Sequence, residues 1–474
     1  MKIINTITLV LLLAASATSA IAQSVEWRTS TLDNYWQLDK GVKFTATPNL
    51  GYEAVDVTTT RAQTMDGLGG TFNELGWDVL CQISPEQRQD VITKLFGADE
   101  ANFTYCRMPI GSSDFAMNYY SLCDVDGDYD MVNFSIDRDR HILMRYIKEA
   151  QKVKPNLKMW ASPWTPPAWM KTNNHYASTY DNDAVNHNGL PRNKEQELNT
   201  TGFRMEYGVL KAYALYFAKF CQAYENEGVK ISAVCIQNEP CSPTKYSSCP
   251  WRPQDMAYFV GRFLGPRFEQ DNIDTEIYLG TINRDNPDWS RVALDDPEAK
   301  KYWTGAGYQW DGRSAIPVIH KEYPRLKMIH TEAECGNGSN DWGAAEHTWW
   351  QISHYLRNGA CVFSYWNMVL NADGMSPWGW KQNALVSVDP VRKTVRYNPE
   401  FYIMKHLCHW VNPGSVRLEI GSRDDILAFD NTDGTTTLVV VNRSDSARRL
   451  AIKLKNRFLN VELPPHSFHS ALIK

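Results

Sequence analysis

Long hydrophobic runs are missing from this chain. Its one notable apolar stretch, Leu9 to Ala15, is too short for a membrane span, and no later stretch approaches the roughly 20 uncharged residues that a transmembrane helix requires. Cysteine is sparse: ten among 474 residues, with no Cys-x-x-Cys pair and no His/Cys cluster at zinc spacing, excludes a disulfide scaffold or a zinc ribbon. Cys241 and Cys249 flank a short loop and could either bridge in an oxidising compartment or stand as free thiols. A positive excess is missing too. Lys and Arg number 49 against 54 Asp and Glu, for a net charge of −5, which offers no general affinity for nucleic acid or an anionic membrane and suits a neutral partner. There is no tandem repeat and no low-complexity tract.

The first residues read as a secretory leader: Lys2, the apolar run, then Ala20-Ile21-Ala22 as a small-residue cleavage site before Gln23. Cleavage near Ala22 would send the chain to the periplasm or the medium. No cysteine follows the leader, so a lipid anchor is not expected there. The remaining length suits a large α/β barrel, commonly about 250 residues plus insertions, with a small satellite domain. The pattern predicts a leader over 1–22, N-terminal strands over 23–60 that join a side sheet, a (β/α)8 TIM barrel over 61–405, and an antiparallel β-sandwich over 406–474.

The barrel is read from alternation. Seven short apolar runs, NFTYCRM, LKMWASP, ISAVCIQ, EIYLGTI, GAGYQW, LKMIHTE and ACVFSYWN, are separated by helical patterns, and an eighth leads into Gly67-Leu68-Gly69-Gly70. Among the helices, Ser84-Pro85-Glu86-Gln87 is a capping box with proline at the first helical position. Another runs from Leu210 to Tyr224 and stops at Gly228. From about Ser415 onward the composition changes to β-branched segments with Asp-Gly and Asn-Arg-Ser turns, as in an antiparallel sandwich.

Two of the barrel strands end in glutamate: Glu239, between Asn238 and Pro240, and Glu332, in LKMIHTEAECG. Buried apolar strands rarely end in carboxylates without a partner or a role. In a parallel barrel, acids at the ends of two strands can face one another across one cleft, and a carboxyl pair with one member protonated is what glycoside hydrolysis uses. Glu334 shares the strand parity of Glu332 and is the alternative at that strand end. The acidic run Asp124 to Asp130 fails the calcium-loop pattern, with Tyr129 and Ser135 where Gly and Glu are required, and reads as a solvated loop. No metal and no cofactor is implied.

These motifs resemble glycoside hydrolase family 30, the group that includes glucosylceramidase, over nearly the whole mature chain. The resemblance is carried by Gly67 to Phe72, Arg107 to Phe115, Ala161 to Lys171, Asn238-Glu239-Pro240, His330-Thr331-Glu332-Ala333 and Tyr365-Trp366-Asn367-Met368. It implies a barrel with a side β-sandwich and a retaining double displacement, with Glu239 as acid/base, Glu332 as nucleophile and Asn238 on the sugar 2-hydroxyl. Asp114, Trp164 and Trp366 would grip the nonreducing glucose. Gln309 stands where glucosylceramidase-like members carry His and would also contact the glycone. Trp251, Trp342, Trp378 and Trp380, in polar loops, are candidates for the aglycone side.

The activity implied is that of a secreted β-glucosidase acting on a carbohydrate or glycolipid. An endo-β-1,6-glucanase is the main alternative, with a β-xylosidase, a β-fucosidase and a noncatalytic carbohydrate-binding protein behind it.

Overall fold

The computed structural model describes residues 24–181 and 187–474, and the leader falls outside them. Eight parallel strands close into a barrel: Gly67–Thr71, Tyr105–Ile110, Lys158–Pro163, Ile231–Cys235, Glu276–Ile282, Trp303–Gln309, Lys327–Glu332 and Ala360–Asn367. All eight coincide with the apolar runs read from the sequence. Closure joins the eighth strand to the first, with Phe363 paired to Leu68 and Tyr365 to Gly70. The first strand is glycine-rich because its neighbours lie against its backbone. A Cβ on Gly69 would stand 2.6 Å from the Tyr105 carbonyl oxygen and 2.7 Å from Cys106 Sγ. The N-terminal half of the barrel is filled by Tyr105, Trp160, Cys235, Tyr278, Ile329 and Val362, so it is a packed core and not a pore.

The outer helices follow their sequence signals. In helix Pro85–Phe96, Ser84 Oγ accepts the Gln87 backbone N–H at 3.2 Å while Gln87 Oε1 accepts that of Ser84, also at 3.2 Å. Val91, Ile92, Leu95 and Phe96 form its buried face. Helix Tyr207–Asn226 buries Leu210, Tyr213, Phe217, Phe220 and Tyr224. No helix among the described residues is long and apolar enough to cross a membrane.

The side domain has two sheets. The larger is ordered Gln37–Asp39, Val25–Ser30, Ser467–Ile473, Thr436–Asn442, Ile426–Asp430, Val416–Leu418, Arg61–Thr64. The smaller pairs Phe44–Thr45 with Arg457–Leu463, which pairs with Arg448–Leu454. Its last strand, Glu53–Val57, lies parallel to Arg448–Leu454 within an otherwise antiparallel domain. Trp27, Val55, Leu438, Val440, Leu450 and Ile452 pack between the sheets.

Arg61–Thr64 belongs to the large sheet, although local sequence put it with the barrel, because its partner Val416–Leu418 is about 350 residues away in sequence. Helix Pro399–Cys408 runs through the 405/406 division and docks the barrel on the sheet, with His406 bonded to Ser470 Oγ at 2.9 Å and Ser30 Oγ at 2.8 Å. After the eighth strand a small sheet of Val369–Asn371, Val386–Asp389 and Thr394–Tyr397, which the sequence did not signal, carries a loop back over the barrel mouth.

Candidate active site

Glu332 is the last residue of the seventh strand, and Glu239 lies four residues beyond the fourth. Pro240 disfavours the right-handed helical region for the residue before it, and Glu239 takes φ +45°. A left-handed conformation at a non-glycine residue costs on the order of 1 kcal/mol or more and recurs at functional sites. Here it turns the chain away from the strand axis just as the carboxylate leaves the barrel. The turn is pinned on both sides: the Asn238 N–H donates to Pro163 O at 2.7 Å and the Glu239 N–H to Thr281 Oγ1 at 3.3 Å.

Arg107, in the middle of the second strand and fully buried, organises the floor. Its Nη1 donates to Glu332 Oε2 at 2.5 Å and to Thr331 O at 3.1 Å, and its Nη2 to Asn238 Oδ1 at 2.6 Å and Ser162 Oγ at 3.0 Å. The guanidinium lies 4.4 Å from the Trp164 ring centre, 5.0 Å from Trp160 and 5.5 Å from Trp366. Gln309 Nε2 donates to Glu332 Oε2 at 2.9 Å, Asn238 Oδ1 at 2.9 Å and Thr281 Oγ1 at 3.1 Å. Thr281 Oγ1 in turn donates to Asn238 Oδ1 at 3.0 Å. With its oxygen taking three donors, Asn238 keeps its amide N–H groups for another acceptor.

The electrostatics separate the two glutamates. Burial, then the charges of Glu332 and Asp114, push the Glu239 carboxyl up to about 8. Burial also raises Glu332, but the adjacent Arg107 opposes it through charge and hydrogen bond. Glu332 therefore ionises first, and Glu239 holds its proton at neutral pH. Asp114 is raised well above the carboxylate range by burial and the charge of Glu332, with Arg107 and the Trp164 side chain opposing.

The chain thus brings Asp114, Trp164, Asn238, Glu239, Gln309, Glu332 and Trp366 to one cleft. Trp164 and Trp366 stack at 5.1 Å. Asp114 Oδ1 and Trp366 Nε1 are buried with no partner among the described residues, an acceptor and a donor suited to sugar hydroxyls. Gln309 positions Asn238, Thr281 and Glu332 through its amide nitrogen, while its Oε1 is buried with no partner among the described residues, an acceptor suited to a sugar hydroxyl. Glu334 is removed from the contest by a 2.8 Å contact with His347 Nε2, which holds its carboxyl below the usual range.

Two of the aromatic candidates are structural. Trp251 is core, stacked on Phe203 at 4.8 Å, and Trp342 packs on Phe468 at 4.4 Å where barrel meets sandwich. Cys241 and Cys249 are free thiols. In the acidic run, Asp128 accepts the backbone N–H groups of Val132 and Asn133, and no group of three or more His, Cys, Asp or Glu among the described residues could hold a metal. The sequence reading gave no role to Arg107 or Thr281. An arginine inside the apolar run YCRMPI was the available signal for the first; a strand threonine gives none.

Comparison with known proteins agrees with this architecture. The family model described as the glycosyl hydrolase family 30 TIM-barrel domain matches residues 65–411, and the family's beta sandwich domain matches 414–471. The lysosomal acid glucosylceramidase of Mus musculus is 26% identical, covering 86% of this chain and 81% of its own. An endo-1,6-beta-D-glucanase of Aspergillus fumigatus is 26% identical over 85% of this chain and 83% of its own. A solved endo-beta1,6-glucanase superposes with a TM-score of 0.79 at 26% identity, covering 94% of this chain and 98% of its own.

Proposed function

The chain belongs to glycosyl hydrolase family 30, and from that premise we propose that it hydrolyses β-glucosides with retention of configuration, Glu332 serving as nucleophile and Glu239 as acid/base. The observation that carries this reading is the asymmetry of the pair: Arg107 donates to Glu332 at 2.5 Å, while the Glu239 carboxyl is pushed up to about 8. Glu332 attacks the anomeric carbon as Glu239 gives its proton to the departing oxygen. The Glu332 charge is then lost to an ester, Glu239 becomes more acidic, and it takes a proton from the water that releases the sugar. Asn238 offers its amide to the 2-hydroxyl, and Asp114 and Trp366 take further hydroxyls. Secretion or periplasmic export is part of the proposal, supported by Lys2, the Leu9–Ala15 run and the Ala20-Ile21-Ala22 site.

The pH dependence of kcat/KM tests the acid/base assignment. Activity requires Glu239 protonated and Glu332 ionised, so the rate should fall as pH rises through about 8 and fall again on the acid side as Glu332 takes a proton. Glu239→Gln should remove the alkaline limb. An alkaline limb that survives this change would take the acid role away from Glu239. The relatives include glucosylceramidases and endo-1,6-beta-D-glucanases, so a glucosyl lipid and a linear β-1,6-glucan are the two substrates to compare.

A further inference from the structure

One lysine at the barrel mouth is buried and takes no part in the chemistry described above. Lys171 closes the stretch Ala161 to Lys171, directly after the short turn Ala168–Met170 that follows the third strand, and only 2% of its surface is exposed. No Asp or Glu pairs with it among the described residues, and burial pulls its pKa down to about 7. A buried charge without a counter-ion has to be held by something else.

Backbone carbonyls take that place. Lys171 Nζ donates to Tyr176 O at 2.8 Å, to Ala177 O at 3.1 Å and to Ser248 O at 2.6 Å. Three acceptors need three N–H donors, and only the protonated amine has them.

The three carbonyls belong to two loops. Tyr176 and Ala177 lie in the loop after the third strand, whereas Ser248 lies in the segment 239–251, which begins at Glu239 and has no helix or strand of its own. Backbone bonds run between the same loops: the Ser248 N–H donates to Tyr176 O at 3.1 Å, and the Ser178 and Thr179 N–H groups both donate to Thr244 O at 2.9 Å. At its base the segment folds onto the acid/base turn. The Ser242 N–H donates to Glu239 O at 3.0 Å, the Trp251 N–H to Pro240 O at 2.9 Å, and the Cys241 N–H to Asn283 Oδ1 at 3.3 Å. Ser247 Oγ lies 2.7 Å from Ser112 Oγ, two residues before Asp114. Glu239 itself holds a left-handed conformation, which persists only where the surrounding structure enforces it.

We propose that Lys171 is a positioning residue for the acid/base: its ammonium, held by carbonyls of both loops, clamps the segment that begins at Glu239 to the loop after the third strand and so fixes where the Glu239 carboxyl stands. It acts through the backbone and touches no substrate. A carboxyl displaced by about 1 Å loses on the order of 10²-fold in a step that needs its proton, and little in a step that does not. The inference rests on the acid/base reading of Glu239.

The test compares kcat/KM of Lys171→Met with that of the wild type on two substrates that share the glucosyl group, at a pH about one unit below the Lys171 value of about 7. Phenyl β-glucoside needs a proton on its departing oxygen, whereas 2,4-dinitrophenyl β-glucoside releases a stable anion and does not. In Lys171→Met the phenyl glucoside should lose about tenfold or more, part of the 10²- to 10⁴-fold that a placed acid supplies, while the dinitrophenyl glucoside changes by less than about twofold. Lys171→Gln, which keeps two N–H donors, should show the same split at smaller size and carries the comparison where the methionine variant does not fold. An equal fall on both substrates, as a destabilised preparation gives, would overturn the clamp, as would no fall on either. Glu239→Gln in the same assay separates the two failures: if it splits the substrates and the Lys171 variants do not, the clamp alone is wrong, and if it too fails to split them, or the wild type cleaves neither, the acid/base reading falls with it.

Discussion

Glu332→Ala is expected to lower turnover of a β-glucoside on the order of 10⁴-fold or more, because it removes the proposed nucleophile and leaves no neighbour suited to replace it. Asp114, the nearby carboxyl, is pushed well above the carboxylate range and is a poor nucleophile at neutral pH. Glu239, the proposed acid/base, sits in the left-handed turn beyond the fourth strand, with its carboxyl pushed up to about 8. Sugar binding should survive, since Asp114, Asn238, Trp164 and Trp366 remain. Added azide should restore turnover through the space the side chain vacates, giving a glucosyl azide of opposite anomeric configuration from a single displacement. Steady-state kinetics with and without azide check this, and a Glu332→Ala variant that keeps a tenth of its activity unaided would remove Glu332 from the mechanism.

The second large effect belongs to Arg107, which carries a full charge in the barrel with no solvent contact. Arg107→Ala leaves Glu332 buried without its 2.5 Å partner and frees Asn238 Oδ1 from a 2.6 Å donor. Breaking such a buried pair costs about 3–5 kcal/mol, and part of that should be relieved by Glu332 taking up a proton, which disables it as a nucleophile. The expected outcome is a melting temperature several degrees lower together with a loss of kcat on the order of 10²-fold or more. Arg107→Lys keeps the charge but cannot serve Glu332, Thr331, Asn238 and Ser162 from one planar fork. It should recover stability more than rate. Thermal melts and kinetics on the same preparations separate the two, and an alanine variant with unchanged kcat would show that the pairing is structural only.

The eight barrel strands were legible because each is a short, largely apolar run cut off by polar sequence, the pattern of a strand buried on both faces. The two glutamates were legible as carboxylates where apolar runs hand over to loops, the end of a parallel barrel that faces the cleft. Non-local partners were not legible. Trp251 and Trp342 stand in polar local sequence, yet one is covered by Phe203 from the loop after the third strand and the other by Phe468 from the last strand of the chain. Arg61–Thr64 reads as the start of the barrel until Val416–Leu418 claims it for the sandwich. Gln309 was placed by analogy at the sugar; only the fold shows three acceptors already around its amide nitrogen. Thr281, which holds Asn238 and the Glu239 turn from the fifth strand, looks in sequence like any β-branched strand residue.

The central claim is that Glu332 becomes covalently bonded to the sugar. Incubation with 2-deoxy-2-fluoro-β-glucosyl fluoride tests it most directly: the ring fluorine slows both steps, and the good leaving group lets the first proceed. Intact-protein mass spectrometry should show one added 2-fluoroglucosyl group, and fragmentation of the digest should place it on Glu332. A label on any other carboxyl, or inverted sugar product from the natural substrate with no label at all, would contradict the account.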